Sequence, residues 1–377
     1  MNVYATENIR NVVLLGHGGC GKTSLIESMA FTTGIIKRVR TVAEGGTVSD
    51  YDKEEIKRKF SIQSSVIPLE VDNVKVNLLD TPGLFDFSGE VYEALSVADA
   101  AVIVINGKSG VEVGTRRSFD FCAKKGIPVI VYITCVEDEH VDASAIVDEL
   151  RESYGNKIVP FHMPMKEDGV FKGFINAVKM LECRLQPNGS YDEVVVEEGV
   201  NDELDDYRMQ LMEGVAETSE DLMEKFFAEE PFTEEEIKNA IIGSVARRDL
   251  MPVICGAINT DYGANILLND MVKYFSAPGM VTDQFTGTKV KTGEPVTASY
   301  DASQPVSAYV FKTIADPFVG RFSLVKVTDG ILKPDTAIYN GNKDTEERIG
   351  KLYVLRGKEQ FEVNALYAGD IGAIAKL

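Results

Sequence analysis

Short apolar runs alternate with helix-patterned stretches over the first part of the chain. The run Val12-Val13-Leu14-Leu15 has the composition of a buried strand, and helical spacing starts at Thr23 and continues through Ala30. Two β-patterned segments, Ser61 to Val71 and Val74 to Leu79, share a turn at Asn73, which predicts a hairpin-like pair at a sheet edge. Ala100 to Ile105 and Pro128 to Ile133 are further buried-type runs, followed by helix patterns over Thr115 to Lys125 and Val141 to Tyr154. Apolar strands separated by helices imply a parallel sheet covered on both faces.

The pattern changes after Met165. Up to Arg248 the chain is acidic, with helical stretches at Asp202 to Gly214, Ser219 to Glu229 and Glu234 to Arg247. Thr233 before three glutamates is a good helix start: a capping hydroxyl followed by acids in the first turn. Met251 to Cys255 returns to strand composition, and Gly263 to Phe275 reads as a closing helix, so residues 160–250 look like an α-rich insertion within an α/β domain of residues 1–280. Beyond Pro278 alternation takes over, with short strands at Val306 to Thr313, Phe322 to Thr328, Ala337 to Tyr339, Gly350 to Leu355, Gln360 to Val363 and Gly372 to Ala375. Turns such as Asp329-Gly330 and Asn340-Gly341 between them predict a small antiparallel barrel over residues 283–377.

Composition bounds the function. At 377 residues, about two to three domains are expected, and 44% hydrophobic residues suit packed globular ones. No stretch approaches the roughly 20 apolar residues of a membrane span, and the first residues carry no signal-peptide pattern. Cys20, Cys122, Cys135, Cys183 and Cys255 are scattered without zinc spacing, which points to a reducing, cytoplasmic compartment and no disulfide framework. With only His17, His140 and His162, a histidine-based metal site is not expected. The formal charge of −20 argues against DNA and other non-specific nucleic-acid binding, while leaving open docking on a ribonucleoprotein through a local patch. Between Asp192 and Glu236 eighteen acids face two basic residues, which suits a solvated helical face or a dock for a basic partner.

The chemistry is concentrated in one stretch. Gly16-His17-Gly18-Gly19-Cys20-Gly21-Lys22-Thr23-Ser24 lies between the first strand and the first helix and fits the G-x-x-x-x-G-K-[ST] phosphate loop. Glycines let backbone N–H groups wrap a polyphosphate, and the helix N-terminus adds positive dipole. Lys22 reaches β/γ oxygens in such a loop, and Thr23 holds Mg²⁺. Asp80-Thr81-Pro82-Gly83 ends an apolar strand about sixty residues later. There Asp80 is suited to the Mg²⁺ shell, and the Gly83 N–H to a γ-phosphate. The polar run Lys37 to Lys59 is too long for an ordinary connection and reads as functional or mobile.

This combination resembles elongation factor G and its relatives among the translational GTPases. The carrying residues are GHGGCGKT, DTPG followed by Phe85-Asp86-Phe87-Ser88-Gly89-Glu90-Val91, Gly110-Val111-Glu112-Val113, and, in the barrel, Asp316-Pro317-Phe318-Val319-Gly320-Arg321 and Ala368-Gly369-Asp370-Ile371. The resemblance runs the whole length and implies a GTP/GDP- and Mg²⁺-binding factor that acts on ribosomal RNA and proteins in translocation, recycling or ribosome protection. It also implies further domains beyond those present. It makes the loop ahead of Ser61 a switch that orders on GTP, with Ser61 in the place of a threonine that addresses Mg²⁺.

Three departures from the family pattern stand out. Leu84 replaces the histidine that positions the attacking water, and a positioned acid–base group typically contributes about 10²–10⁴-fold. His17 matches a family histidine that does not serve this step, and Gly19 replaces an aspartate. Where the family reads guanine with Asn-Lys-x-Asp, this chain has Thr134-Cys135-Val136-Glu137, which keeps a longer carboxylate but loses the amide and the lysine stem. The loop of Gly256, Ala257 and Ile258 replaces a Ser-Ala pair whose backbone meets the base. The expectation is a GTPase with an intact phosphate grip, catalysis resting mainly on Lys22 and Gly83, slow hydrolysis and weakened guanine selectivity. The alternative is a non-hydrolysing ribosome-binding factor in which nucleotide is structural or absent.

Overall fold

The computed structural model describes residues 2–186, 191–197, 199–257, 263–280, 285–290, 292–316 and 320–376. Ile258 and residues 317–319 of the barrel motif therefore lie outside the described residues. The α/β part runs β1 (Ile9–Leu15), α1 (Lys22–Thr32), α2 (Lys53–Arg58), β2 (Ser65–Val71), β3 (Val74–Asp80), α3 (Ser88–Val97), β4 (Ala100–Asn106), α4 (Val113–Lys125), β5 (Val129–Thr134) and α5 (Ala143–Tyr154). It continues with β6 (Ile158–Glu167), β7 (Val170–Asn176), β8 (Leu181–Leu185), β9 (Tyr191–Val195), α6 (Asp202–Ala216), α7 (Glu220–Phe227), α8 (Glu234–Arg247), β10 (Met251–Cys255) and α9 (Ala264–Tyr274).

Among the described residues these strands form one sheet in the order β2-β3-β1-β4-β5-β10-β6-β7-β8-β9. The centre, β3-β1-β4-β5-β10-β6, is parallel, and β2 and β7–β9 run antiparallel at the two edges. Residues such as Val12, Ile103, Val131 and Val253 are fully buried between the helix layers, as their unbroken apolar runs require. The helices α6, α7 and α8 lie where the helical spacing put them. The strands β6–β9 ahead of them extend the sheet, and the acidic reading of this region did not foresee them.

The second part carries β11 (Thr286–Thr288), β12 (Pro295–Thr297), β13 (Ser307–Asp316), β14 (Gly320–Asp329), β15 (Ile331–Leu332), β16 (Ala337–Asn340), β17 (Thr345–Arg348), β18 (Leu352–Arg356), β19 (Glu359–Val363), β20 (Leu366–Tyr367) and β21 (Ile371–Ala375). They pair antiparallel throughout, around the order β13-β14-β21-β18-β19. Val327, Ile349 and Leu352 centre its own core. No described helix is long and apolar enough to cross a membrane. All five cysteines are free thiols.

The two parts meet through buried polar groups as well as apolar contact. Lys326 Nζ donates to Val97 O at 3.0 Å and to Asp99 Oδ1 at 2.5 Å. Asn11 Nδ2 bridges Asp99 Oδ2 at 2.7 Å and Gly369 O at 2.8 Å.

Candidate functional site

The phosphate loop follows from two close approaches that only glycine permits. A Cβ on Gly16 (φ +145°) would come within 2.7 Å of the Cys20 sulfur, and one on Gly83 within 2.7 Å of Gly18 Cα and His17 O. The turn after β3 is thus pressed against the turn after β1, held there by Thr81 Oγ1 donating to Leu14 O at 2.5 Å. Gly21 caps α1 in the left-handed region, so the first helical residues, Lys22, Thr23 and Ser24, present the open N-terminus.

Lys22 Nζ donates to the carbonyls of Gly16 at 3.2 Å and His17 at 3.1 Å and lies 3.7 Å from the Cys20 sulfur. The ammonium therefore sits over the loop rather than trailing into solvent. Outside it lies a cavity of about 380 Å³, lined by Gly18, Gly21, Lys22 and Gly83 together with Asp50 of the long polar loop and Ser61 just beyond it. The loop opens onto this cavity.

Three residues singled out for Mg²⁺ meet at the edge of this cavity. Thr23 Oγ1 donates to Asp80 Oδ2 at 2.9 Å and lies 3.2 Å from Ser61 Oγ. Two further groups join them. Ser49 Oγ donates to Asp80 Oδ2 at 2.6 Å, and the Asp50 carboxyl lies within hydrogen-bonding reach of Ser61. Burial and then the neighbouring Asp80 push the Asp50 carboxyl up to about 7, and burial raises Asp80 too.

Among the described residues, Asp50 Oδ2 and Asp80 Oδ1 are buried with no hydrogen-bond partner. Two unsatisfied carboxylate oxygens beside two hydroxyls are an all-oxygen donor set, which suits a hard cation such as Mg²⁺ with water in its shell. No group of three or more His, Cys, Asp and Glu able to hold a metal ion occurs among the described residues, so this mixed set stands apart from a thiol or imidazole site.

The polar loop is built, not loose. Glu27 of α1, 2% exposed, accepts the backbone N–H groups of Arg40 at 3.2 Å and Val48 at 2.8 Å. Glu55 of α2 accepts those of Ile62 and Gln63 at 3.0 and 3.1 Å, which fixes the chain entering Ser61. Neither Glu27, Ser49, Asp50 nor Glu55 was singled out from sequence. The available signal was a lone carboxylate in the largely apolar Leu25–Ala30 stretch and a Ser-Asp pair inside the polar loop.

Leu84 is 37% exposed, and its Cδ2 would lie 3.1 Å from a Cβ on Gly18, so its isobutyl group hangs over the phosphate loop. Phe85 beside it meets the His17 ring edge-on at 5.9 Å, with the Arg117 guanidinium 4.8 Å over its other face. His17 Nε2 lies 3.6 Å from Glu112 Oε1. His17 therefore packs the loop against the turn after β3 and α4.

At the end of β5, Thr134 is buried, and its hydroxyl donates to Cys20 O at 3.1 Å and Ile105 O at 3.3 Å. It ties the sheet to the phosphate loop. Cys135 takes a left-handed φ of 61° and is half-buried, its thiol pushed up by burial. Glu137 is half-buried close by, and Lys108 Nζ pairs with Asp138 Oδ2 at 2.5 Å. Gly256 N donates to Ile133 O at 2.9 Å and Ala257 is buried, which brings that loop beside the C-terminal end of β5.

Residues 7–277 match the family described as the elongation factor Tu GTP binding domain, and residues 305–377 match elongation factor G domain 2. The crystal structure of ttk003000868 from Thermus thermophilus is similar at a TM-score of 0.83 and 31% identity, over 98% of this chain and 52% of that one. The chain spans about half the length of that solved structure.

Proposed function

The chain belongs to the family of the elongation factor Tu GTP binding domain, continued by elongation factor G domain 2, and from that premise we propose that it is a Mg²⁺-dependent GTP/GDP switch working on the ribosome. The observation that carries this reading is the meeting of Thr23, Ser61, Asp80 and Asp50 at the mouth of an open phosphate loop. Lys22 and the loop amides hold the phosphates. Thr23 and Ser61 address Mg²⁺ directly, with Asp80 and Asp50 behind them. The Gly83 N–H faces the γ-phosphate. Bound Mg²⁺ supplies charge neutralisation on the phosphate oxygens.

Hydrolysis is slow because the residue after Gly83 is a leucine, which carries no group to orient water. Catalysis then rests on electrostatics from Lys22 and whatever the ribosome contributes. Guanine selectivity is reduced, since Thr134 spends its hydroxyl on the phosphate loop and Cys135 has no stem to lie along a base. The job is translocation, recycling or ribosome protection, with ribosomal RNA and proteins as partners, in the cytoplasm. The position of Leu84 over Gly18 also favours a second reading, a ribosome-binding factor that holds nucleotide without hydrolysing it. Ribosome-stimulated GTP turnover tests the choice. Slow multiple turnover supports the switch, none at all supports the holding factor, and a rate matching ordinary translocases refutes the role given to Leu84.

A further inference from the structure

The inserted subdomain contains a groove that the nucleotide reading does not use. It has a volume of about 910 Å³ and lies between the β7–β8 turn, β9, α6, α8 and α9. Its floor is apolar, with Met180, Leu181, Ile237 and Ile241. Its rim carries three lysines from three different elements: Lys179 of the β7–β8 turn, Lys238 of α8 and Lys273 of α9.

Three features set this rim apart. First, the chain as a whole is strongly acidic, at −20, and the insertion most of all. Second, neither the Lys179 nor the Lys238 ammonium makes a hydrogen bond or ion pair among the described residues, although Glu234 and Glu235 stand on the same rim. Among the described residues Lys273 donates only to the Tyr274 hydroxyl, at 2.8 Å. The ammonium of Lys273 is held below its ordinary value by burial, and the positive charges of Lys179 and Lys238 oppose its protonation further, against Asp270. Third, Lys179 is delivered by a fixed turn. Asn176 Oδ1 accepts the N–H groups of Val178 and Lys179, each at 3.0 Å, and Arg208 Nη1 donates to Ala177 O and Val178 O at 2.9 and 3.0 Å. Met180 follows in the left-handed region at φ 54°.

Ammonium groups that share a groove without direct ion pairs repel one another in the free protein, and an anion between them relieves the repulsion. An apolar floor rewards a ligand that also has a hydrocarbon or aromatic body. The geometry points to a second ligand site, taking a small amphipathic anion whose phosphate or carboxylate head sits among Lys179, Lys238 and Lys273 and whose apolar body lies on Met180, Leu181, Ile237 and Ile241. This site is independent of the phosphate loop and stands whether or not the nucleotide reading does.

The test is calorimetric titration of the full chain with octyl phosphate below its micellar concentration, alongside 1-octanol and octylammonium. Saturable one-site binding of octyl phosphate, with neither control binding comparably, is the expected result. Lys179→Ala/Lys238→Ala weakens it at least about tenfold through loss of two facing charges. Lys22→Ala leaves it unchanged, which separates this groove from the phosphate loop. The double variant without ligand unfolds at the same temperature or higher, because repulsion has been removed. Absence of saturable binding, binding indifferent to the two lysines, loss with Lys22→Ala alone, or a lowered unfolding temperature of the ligand-free double variant each overturns the proposal.

Discussion

Lys75 of β3 and Asp370 of the antiparallel part form a two-pronged ion pair, with Nζ 2.7 and 2.9 Å from the two carboxylate oxygens. The Lys75 side chain is wholly buried, and Asn77 Nδ2 and the Ile371 N–H also donate to Asp370 Oδ1, at 3.1 and 2.8 Å. With Lys326–Asp99 beside it, this network makes the two parts one unit. Asp370→Ala leaves an ammonium buried without its counterion and is expected to destabilise the chain by about 3–5 kcal/mol, read by urea unfolding. Lys75→Met/Asp370→Leu recovers most of that loss, since both charges leave together. A single-variant effect below about 1 kcal/mol contradicts the role assigned to the pair.

The antiparallel part also touches the long polar loop. Gly357, in the β18–β19 turn at φ 53°, donates its N–H to Val66 O at 3.2 Å, and any Cβ there would strike Val48 O. Gly357→Val is therefore expected to push Val48, and with it Ser49 and Asp50, away from Asp80. The expected outcome is weaker binding of Mg²⁺ and fluorescent GTP analogues by about tenfold or more, with only a modest fall in unfolding temperature. Unchanged nucleotide affinity separates the turn from the switch.

Much of this was legible from sequence where the determinants are local. The Gly16–Thr23 spacing, the Asp80–Gly83 turn and the parallel strand runs each sit within a few residues. The strand β6 was not, because Pro160 and Pro164 read against a sheet interior although the strand runs through both. Asp50 lies in a polar run with no periodicity, and only the fold brings it to Asp80. Lys75 is an isolated charge in an apolar strand, and its partner lies 295 residues away, where no window of sequence reaches.

Asp50 gives the metal-free protein an unusual pH dependence. Its folded-state carboxyl is raised from 3.8 to about 7, and Asp80 is raised as well. Between the ordinary value and the raised one the folded chain binds more protons than the unfolded chain, so stability falls as pH rises through that window. Thermal unfolding in chelator from about pH 5 to about pH 8 is expected to show a falling midpoint, and Asp50→Asn to flatten it. A midpoint that rises over this range, or an Asn variant with the same slope, contradicts the assignment.

Leu84→His restores a group able to orient water next to Gly83. Single-turnover GTP hydrolysis on ribosomes is expected to rise by about 10²-fold or more, with nucleotide affinity little changed. No gain means that the ribosome or another residue already supplies this function.

The most direct test of the central claim, that Gly16–Thr23 cradles a Mg²⁺-bound polyphosphate, is calorimetric titration with non-hydrolysable GTP and ATP analogues and with GDP, with and without Mg²⁺. The account expects Mg²⁺-dependent binding that Lys22→Ala abolishes, with a GTP-over-ATP preference well below the roughly 10⁴–10⁵ of a fully hydrogen-bonded base site. Failure of every nucleotide to bind in the presence of Mg²⁺, or binding indifferent to Lys22, contradicts it.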